Sequence, residues 1–118
     1  MGFESANYLQ NVHKVKMPIF SIHGNHDDPV GLENLSSLDL MNSNNYINYF
    51  GRQKSIQDLN ITPFLIRKGA IKIAIYGIGH MREERLNLAF ENEKVKWNRP
   101  CDSTGAVDTT FFNILVLH

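Results

Sequence analysis

Side chains that bind metals or transfer protons are concentrated in one stretch, Gly24-Asn25-His26-Asp27-Asp28, directly after an apolar run. An amide oxygen such as that of Asn25 is a hard, neutral metal ligand, and an imidazole either binds metal or transfers a proton. Because neighbours on a tight turn point in different directions, one side chain can bind metal while another faces a substrate. The carboxylate of Asp27 can fix the tautomer of His26 and raise its basicity. The alternative is a turn that caps a helix, with an incidental histidine.

Two apolar runs are placed to deliver polar groups to one edge of a sheet. Residues 17–23 predict a short, buried, parallel strand that ends at Gly24. Residues 111–117 predict a second buried strand, followed directly by His118. Ligands of open α/β sheets bind beyond the carboxyl ends of strands. If both strands share a sheet, His118 and the polar stretch meet at one site; otherwise His118 is a solvated residue.

A helix is predicted over residues 31–42, with Asp28 as its N-cap and Pro29 at its first position. Its apolar positions form one stripe, which indicates core packing. The residues of that stripe are Leu32, Leu35, Leu38 and Met41.

The rest of the chain predicts further elements of both types, so the fold class is α/β. Residues 1–16 are predicted to be a polar arm or loop, and residues 91–110 a surface loop. The regular elements are a short strand at 46–50, a hairpin and a helix at 82–90. The hairpin joins strands at 61–67 and 70–76 across Lys68-Gly69. Pro63 places the first of these strands near a sheet edge.

Composition excludes several classes of protein. A chain of 118 residues allows one domain with a modest core. Its 12 basic and 12 acidic side chains cancel, so no strong overall field attracts nucleic acid or membrane. The single cysteine, Cys101, excludes an internal disulfide and favours a reducing compartment. No apolar run approaches the roughly 20 residues that span a bilayer, which argues against a membrane partner.

The motif Gly-Asn-His-Asp after a hydrophobic strand resembles the third motif of the calcineurin-like metallophosphoesterases. The longer segments SIHGNHDDP, IYGIGHMREERL and FFNILVLH are similar to one branch in particular. That branch is the eukaryotic double-strand-break repair nuclease of the meiotic-recombination-eleven family. The resemblance covers nearly all of residues 17–118, with the segments in the family's order.

The resemblance implies a partial metallophosphoesterase sandwich of mixed β-sheets flanked by helices. It implies that Asn25 and His118 bind the second of two Mn²⁺ ions, and that His26 faces the phosphate and assists departure of the leaving group. The implied activity is that of a manganese-dependent hydrolase that cuts DNA as a 3′-to-5′ exonuclease and an endonuclease. The implied setting is double-strand break repair and meiosis in the nucleus.

The family also implies partners besides DNA. Its members form homodimers and assemble with an ATPase of the structural-maintenance type and a third, regulatory subunit. The helix after the motif contributes to the dimer, which makes Leu35, Leu38 and Met41 candidates for that interface. The arm at residues 1–16 corresponds to the end of an insertion that contacts the regulatory subunit.

Several motifs of the family are missing from these 118 residues: Asp-x-His, the Gly-Asp pair ahead of the third motif, and the final Gly-His-x-His. Asn25 and His118 alone are too few ligands to hold a hard divalent ion tightly. We therefore expect residues 1–118 to be a single partial nuclease domain, an internal fragment that is inactive alone. His23 is interpreted as a packing residue or a hydrogen-bond partner near the site, and His80 is assigned no role.

Two other functions remain open at this point. One is a different metallophosphoesterase, such as a phosphoprotein phosphatase, although those enzymes usually have Glu after Gly-Asn-His. The other is a non-catalytic module that serves homodimerisation and binding of the regulatory subunit.

Overall fold

The computed structural model describes residues 5–9, 14, 16–54 and 57–118. The fold is α/β with mixed sheets, as predicted. A 3-10 helix at Asn7–Leu9 precedes the other elements, which are β1 (Phe20–Ser21), α1 (Ser37–Ser43), β2 (Asn48–Tyr49), β3 (Leu59–Ile61), β4 (Phe64–Lys68), β5 (Ile71–Ile78), α2 (Glu83–Glu91), β6 (Val95–Trp97) and β7 (Phe112–Leu117). In this described part, no helix is both long and apolar enough to cross a membrane.

The largest sheet has the strand order β4-β5-β7. Its first two strands form the predicted antiparallel hairpin, and Gly69 at the turn has a φ of 60°, a value that glycine adopts without strain. The third strand runs parallel to β5, from Ile73 opposite Phe112 to Ile78 opposite Leu117. The strand after Pro63 lies at an edge of this sheet, as predicted.

One cluster of the core packs on the face of this sheet that carries Ala74, Tyr76 and Ile78, and Phe50 and Phe64 are buried outside that cluster. Its fully buried members are Ile61, Ala74, Tyr76 and Ile78. Partly buried side chains from α2, β4, β6 and the start of β7 pack against them, namely Leu65, Leu86, Val95 and Phe111. Residues distant along the chain therefore hold the hairpin, α2 and the last strand together by burial of apolar area, which is the main stabilising term in folding.

Two smaller sheets are parallel pairs, β1 with β2 and β3 with β6. Phe20 of β1 joins the first pair to the hairpin through an aromatic cluster. Its ring centroid lies 6.4 Å from that of Phe50 and 5.2 Å from that of Phe64, in edge-to-face geometry. Such contacts add to the burial of the rings themselves. The strand that precedes the polar stretch is thereby anchored to the larger sheet.

The predicted helix over residues 31–42 is wrong in its first half. The helix α1 begins at Ser37, and Ser36, not Asp28, is its N-cap in a capping box with Asp39. Residues before it form turns in which Gly31 and Asn34 have positive φ, and such residues interrupt a helix. Leu32, Leu35 and Met41 are exposed and Leu38 is half-buried, so the expected core packing of the stripe is wrong.

Strand lengths also differ from the predictions. The strand expected at 17–23 is reduced to β1 and is half-buried, although its parallel pairing is confirmed. The strand expected at 46–50 is reduced to β2. Residue 61 belongs to β3 and lies outside the hairpin. The last strand begins one residue later than predicted and is largely exposed, so its expected burial is wrong.

Two segments predicted to be irregular contain structure. The segment 91–110 includes β6, a short strand that pairs with β3, so the prediction of a continuous loop is wrong. In the arm at 1–16, Ala6 and Asn7 are buried. Asn7 donates its side-chain amide to the Asn45 carbonyl at 2.8 Å. Residues 1–4, 10–13 and 15 of that arm lie outside the described residues.

Candidate functional site

The polar stretch forms a tight turn shortly after β1, with Ile22 and His23 between them. The backbone N–H of Asp27 donates to the Gly24 carbonyl at 3.2 Å, which closes the turn over Asn25 and His26. The side chains of Asn25, His26 and Asp27 are all exposed. They are therefore accessible to a ligand, in contrast to the buried histidine that precedes them.

The imidazole of His118 lies against Gly24. A Cβ atom on Gly24 would be 3.1 Å from His118 Nε2 and 3.3 Å from Cδ2, so the absence of a side chain allows this close approach. Two strand ends that are 94 positions apart along the chain (118 − 24) thus meet directly beside Asn25. The strands β1 and β7 belong to different sheets, so the expectation of one shared sheet is wrong, although the His118 ring and the turn do meet. The metal-binding roles of Asn25 and His118 stay predictions.

A third imidazole, that of His80, lies beside His118, although sequence reasoning gave it no role. Its ring centroid lies 5.6 Å from that of His118, with the ring planes at 84°. The His80 backbone N–H also donates to the His23 carbonyl at 2.8 Å. The signal that identifies His80 is its position two residues after β5. Because β5 and β7 are parallel neighbours, a residue that follows one strand lies near a residue that follows the other.

His23 is buried below the turn, with 5% of its surface exposed. Its Nδ1 lies 2.8 Å from the Tyr49 hydroxyl, and its Nε2 lies 3.5 Å from Asp28 Oδ1. A Cβ atom on Gly79 would overlap the His23 ring, so glycine is required at that position. This ring therefore bridges β2 and the far end of the turn, which realises one of its two predicted roles.

Burial determines the protonation of this pair. Desolvation lowers the pKa of His23 below its usual 6.5, against opposing effects from the His80 backbone and the Asp28 carboxylate. Desolvation likewise raises the pKa of Tyr49 above its usual 10.0. Both groups are consequently neutral near pH 7.

The contacts of the two carboxylates at the turn, those of Asp27 and Asp28, differ from the ones that the sequence predicted. Asp27 was expected to orient His26, but among the described residues no hydrogen bond joins these two side chains. Asp28 is instead the carboxylate that faces an imidazole, that of His23. The orienting role of Asp27 stays a prediction without a supporting contact.

The site matches a divalent cation in the kind of its donors and falls short in their number. An amide oxygen from Asn25 and an imidazole nitrogen from His118 are ligands that Mn²⁺ accepts. Within residues 5–9, 14, 16–54 and 57–118, however, no cluster of three or more His, Cys, Asp or Glu side chains could hold a metal. These residues can supply only part of a coordination shell.

The candidates for a dimer interface lie around the start of α1. Leu35 and Met41 are exposed, and Leu38 is half-buried. Leu32 and Leu40 add further exposed apolar surface nearby in sequence. Exposure makes this surface available for association, while its role as a dimer interface is still a prediction.

Comparisons with known proteins identify similar sequences among double-strand break repair proteins. No family model matches the chain. It is 42% identical over 122 residues to the double-strand break repair protein MRE11 of Arabidopsis thaliana, covering 99% of this chain and 17% of that protein. It is 40% identical over 116 residues to the protein of the same name from Homo sapiens, covering 98% of this chain and 16% of that protein. The resemblance predicted from the motifs is confirmed, for a chain that spans about a sixth of these relatives.

Proposed function

We propose that this chain corresponds to part of a double-strand break repair protein of the MRE11 family. In that protein it carries one side of the active site of a DNA nuclease. The observation that supports this most directly is the contact of the His118 imidazole with Gly24, immediately before Asn25 and His26. In this arrangement two metal ligands, Asn25 and His118, and a proton donor, His26, come together from the ends of two strands, a set of groups suited to hydrolysis of a phosphodiester.

In this proposal the Asn25 amide oxygen and a His118 nitrogen hold one edge of a Mn²⁺ site, and the remaining ligands come from polypeptide beyond these 118 residues. A pair of divalent ions, when bound, supplies hydroxide at neutral pH and offsets charge on the phosphoryl oxygens. The exposed His26 donates a proton to the leaving oxygen, a contribution on the order of 10²–10⁴ in rate.

The same proposal extends to the finer properties that the family resemblance implies. The complete protein is a manganese-dependent 3′-to-5′ exonuclease and endonuclease of the nucleus. It acts as a homodimer with a structural-maintenance-type ATPase and a regulatory subunit. The partly buried hydrogen bond from Asn7 to the Asn45 carbonyl holds part of the arm that would face that subunit.

The test uses the natural full-length protein with manganese and a DNA substrate. His26→Ala is expected to lose about 10²–10⁴ in turnover while its manganese content is unchanged. Asn25→Ala and His118→Ala are expected to lower both manganese content and turnover. Asn87→Ala, which changes an exposed asparagine on α2, is the matched control and retains both. Full activity of His26→Ala would contradict the proposal.

A second measurement concerns the 118-residue chain by itself. Because Asn25 and His118 are only two ligands, calorimetric titration with Mn²⁺ is expected to give no tight site. A stoichiometric pair of high-affinity sites would show that the ligand set is complete here and would overturn the proposed division of the active site.

A non-catalytic interaction module is the second candidate, and the exposed apolar side chains near α1 favour it. Surface of this kind marks interfaces when it is contiguous. If Leu35 and Met41 form a homodimer interface, Leu35→Glu and Met41→Glu are expected to convert the full-length protein to monomer in light scattering. Leu88→Glu, at an exposed position of α2, is the matched control. Loss of association without loss of nuclease turnover would separate this role from catalysis.

A further inference from the structure

The turn that carries Asn25 and His26 has contacts at both ends that lead to one side chain. His23 is the residue before the turn, and Asp28 is the residue after it. The His23 ring reaches across, with Nε2 at 3.5 Å from Asp28 Oδ1. Its other nitrogen, Nδ1, lies 2.8 Å from the hydroxyl of Tyr49 on β2. The two ends of the turn are therefore connected to β2 through a single imidazole.

The direction of these contacts follows from the chemistry of the groups. The Asp28 carboxylate can only accept, so the tautomer with its proton on Nε2 is the one that suits this 3.5 Å contact. In the neutral ring, Nδ1 is then an acceptor, and the Tyr49 hydroxyl must donate to it. Tyr49 thus selects both the tautomer and the orientation of the ring. A phenylalanine at this position would keep the aromatic packing and lose the hydrogen bonds of the hydroxyl, the one to His23 and the one with Ser36.

The surroundings leave the ring little freedom to move. Its centroid lies 5.9 Å from that of Tyr49, in edge-to-face geometry at 76°. The ring occupies space that a side chain at Gly79 would need. The His23 carbonyl also accepts from the His80 backbone N–H at 2.8 Å. A buried ring fixed on three sides transmits its position to the turn through the main chain that follows it.

We propose that His23 and Tyr49 are positioning residues, a pair that holds the turn of Asn25 and His26 in the geometry required for phosphodiester cleavage. This inference rests on the proposed nuclease function, which supplies the reaction that the turn serves. Both residues are buried, with 5% of His23 and 7% of Tyr49 exposed, so neither is placed to touch a substrate. Each acts through the backbone of the turn, as side chains that support a catalytic group from behind commonly do.

The test compares Tyr49→Phe with Tyr76→Phe in the natural full-length protein. Both changes remove one hydroxyl from a buried tyrosine, and among the described side chains the Tyr76 hydroxyl makes no hydrogen bond. Tyr49→Phe is expected to lower kcat roughly tenfold with KM for DNA unchanged, because small misplacements of reacting groups are costly in rate. Amide hydrogen exchange in residues 24–28 is expected to become several-fold faster. Tyr76→Phe is expected to change neither quantity.

A double-mutant cycle provides a second readout that general destabilisation would not reproduce. Once His23→Ala has removed the acceptor, adding Tyr49→Phe is expected to lower kcat no further. His23→Asn places an amide near the former Nδ1 position and is expected to recover part of the loss that His23→Ala causes. Additive losses in the cycle would overturn the pairing of these two residues.

The two proposals fail in distinguishable ways. If the unmodified protein lacks manganese-dependent nuclease activity, the proposed function fails, and hydrogen exchange in the turn still decides whether Tyr49 holds it. If the parent is active and Tyr49→Phe matches Tyr76→Phe in kcat and exchange, the positioning role is overturned and the nuclease proposal stands. Faster exchange with unchanged kcat would also overturn the positioning role, since the turn would then be held for reasons unrelated to cleavage.

Discussion

The two strand ends that meet at Gly24 are supported by different kinds of bond. His118 follows β7, which pairs with β5 over six consecutive residues, and β5 continues into the hairpin with β4. Asn25 and His26 follow β1, which pairs with β2 over only two residues. One side of the site rests on a long ladder of backbone hydrogen bonds, and the other has almost no ladder at all.

Side-chain hydrogen bonds compensate on the short side. Asn48 of β2 donates its amide to Asn7 Oδ1 at 3.0 Å and to the Ile19 carbonyl at 3.1 Å. The Tyr49 N–H donates to Asn42 Oδ1 at 3.0 Å. A backbone ladder forms with almost any side chain, whereas these contacts require particular amides and hydroxyls. We call the part built on β4, β5 and β7 the ladder half and the part built on β1 and β2 the tethered half. The stability of the ladder half should depend mainly on apolar volume, and that of the tethered half on particular polar atoms.

The largest effect is expected where the ladder half is most buried. Ile78 and Ile71 lie at opposite ends of β5, and 1% of the former and 63% of the latter is exposed. Ile78→Ala is expected to lower the free energy of unfolding by about 2–5 kcal/mol because it leaves a cavity in the core. Ile71→Ala should change it by less than about 0.5 kcal/mol. Urea denaturation measures both, and equal losses would show that burial does not control this half.

The next effect tests the tethered half. Asn48 is buried, and its side chain accepts from the Asn7 backbone N–H at 2.5 Å and donates to the Ile19 carbonyl. Asn48→Ala leaves both of these backbone groups without that partner. The expected loss is about 1–3 kcal/mol, the usual cost of unsatisfied buried polar groups. The control is Asn60→Ala, which removes an exposed amide that accepts from Asn98 at 2.6 Å. A loss from Asn60→Ala as large as that from Asn48→Ala would contradict the comparison.

A smaller effect is expected at the start of α1, which borders the tethered half. Ser36 caps this helix by accepting from the Leu38 N–H at 3.2 Å, and Ser36→Ala should cost about 1 kcal/mol of stability. Ser37→Ala changes the neighbouring serine inside the helix and should be nearly neutral. Helix α2 has no side-chain cap at Arg82. An equal response to both serine substitutions would show that the cap does not hold the start of α1.

The ladder half is also the half that the sequence predicted well. The hairpin, α2 and the last strand each combine a long apolar or amphipathic run with a glycine or a charged boundary, and such signals are local. The extension of the helix over residues 31–36 was wrong because Gly31 and Asn34 adopt positive φ, which an apolar stripe does not reveal. The three residues of β6 are too few for a periodic pattern, so only their pairing with β3 identifies them.

At the candidate site, too, some contacts were predicted from the sequence and others were not. The approach of His118 to the turn was predicted because both follow apolar runs that were expected to share a sheet, whereas β1 and β7 lie in different sheets. The contacts of His23 with Tyr49 and Asp28 were not, since the pairing that brings β2 beside β1 involves two residues in each strand. Side chains that support a site from a distant element leave no pattern in the local sequence. They become visible only when the register of the strands is known.

The smallest expected effect is a dependence of stability on pH in the ladder half. Asp108 precedes β7, and its carboxylate accepts from the Thr110 hydroxyl, the Thr110 backbone N–H and Lys72 of β5. These bonds lower the pKa of Asp108 from its usual 3.8 to about 2. Since the folded-state pKa is the lower one, the stabilisation is complete above pH 3.8 and disappears as the pH falls toward 2. Asp108→Asn should therefore be less stable than the parent at pH 7, and the difference should vanish at low pH.

Substitution of the groups that lower the pKa of Asp108 shows how much each one contributes. The Thr110 hydroxyl lowers the pKa of Asp108 most, ahead of the Thr110 backbone and Lys72. Lys72 acts both through its hydrogen bond and through its opposite charge, so Thr110→Ala and Lys72→Met should each remove part of the pH dependence. Urea denaturation between pH 2 and pH 7 compares the three variants with the parent. If Lys72→Met removes the larger share, the ion pair rather than the hydroxyl joins this loop to β5, and the ladder half contains a long-range tether of the kind found on the other side.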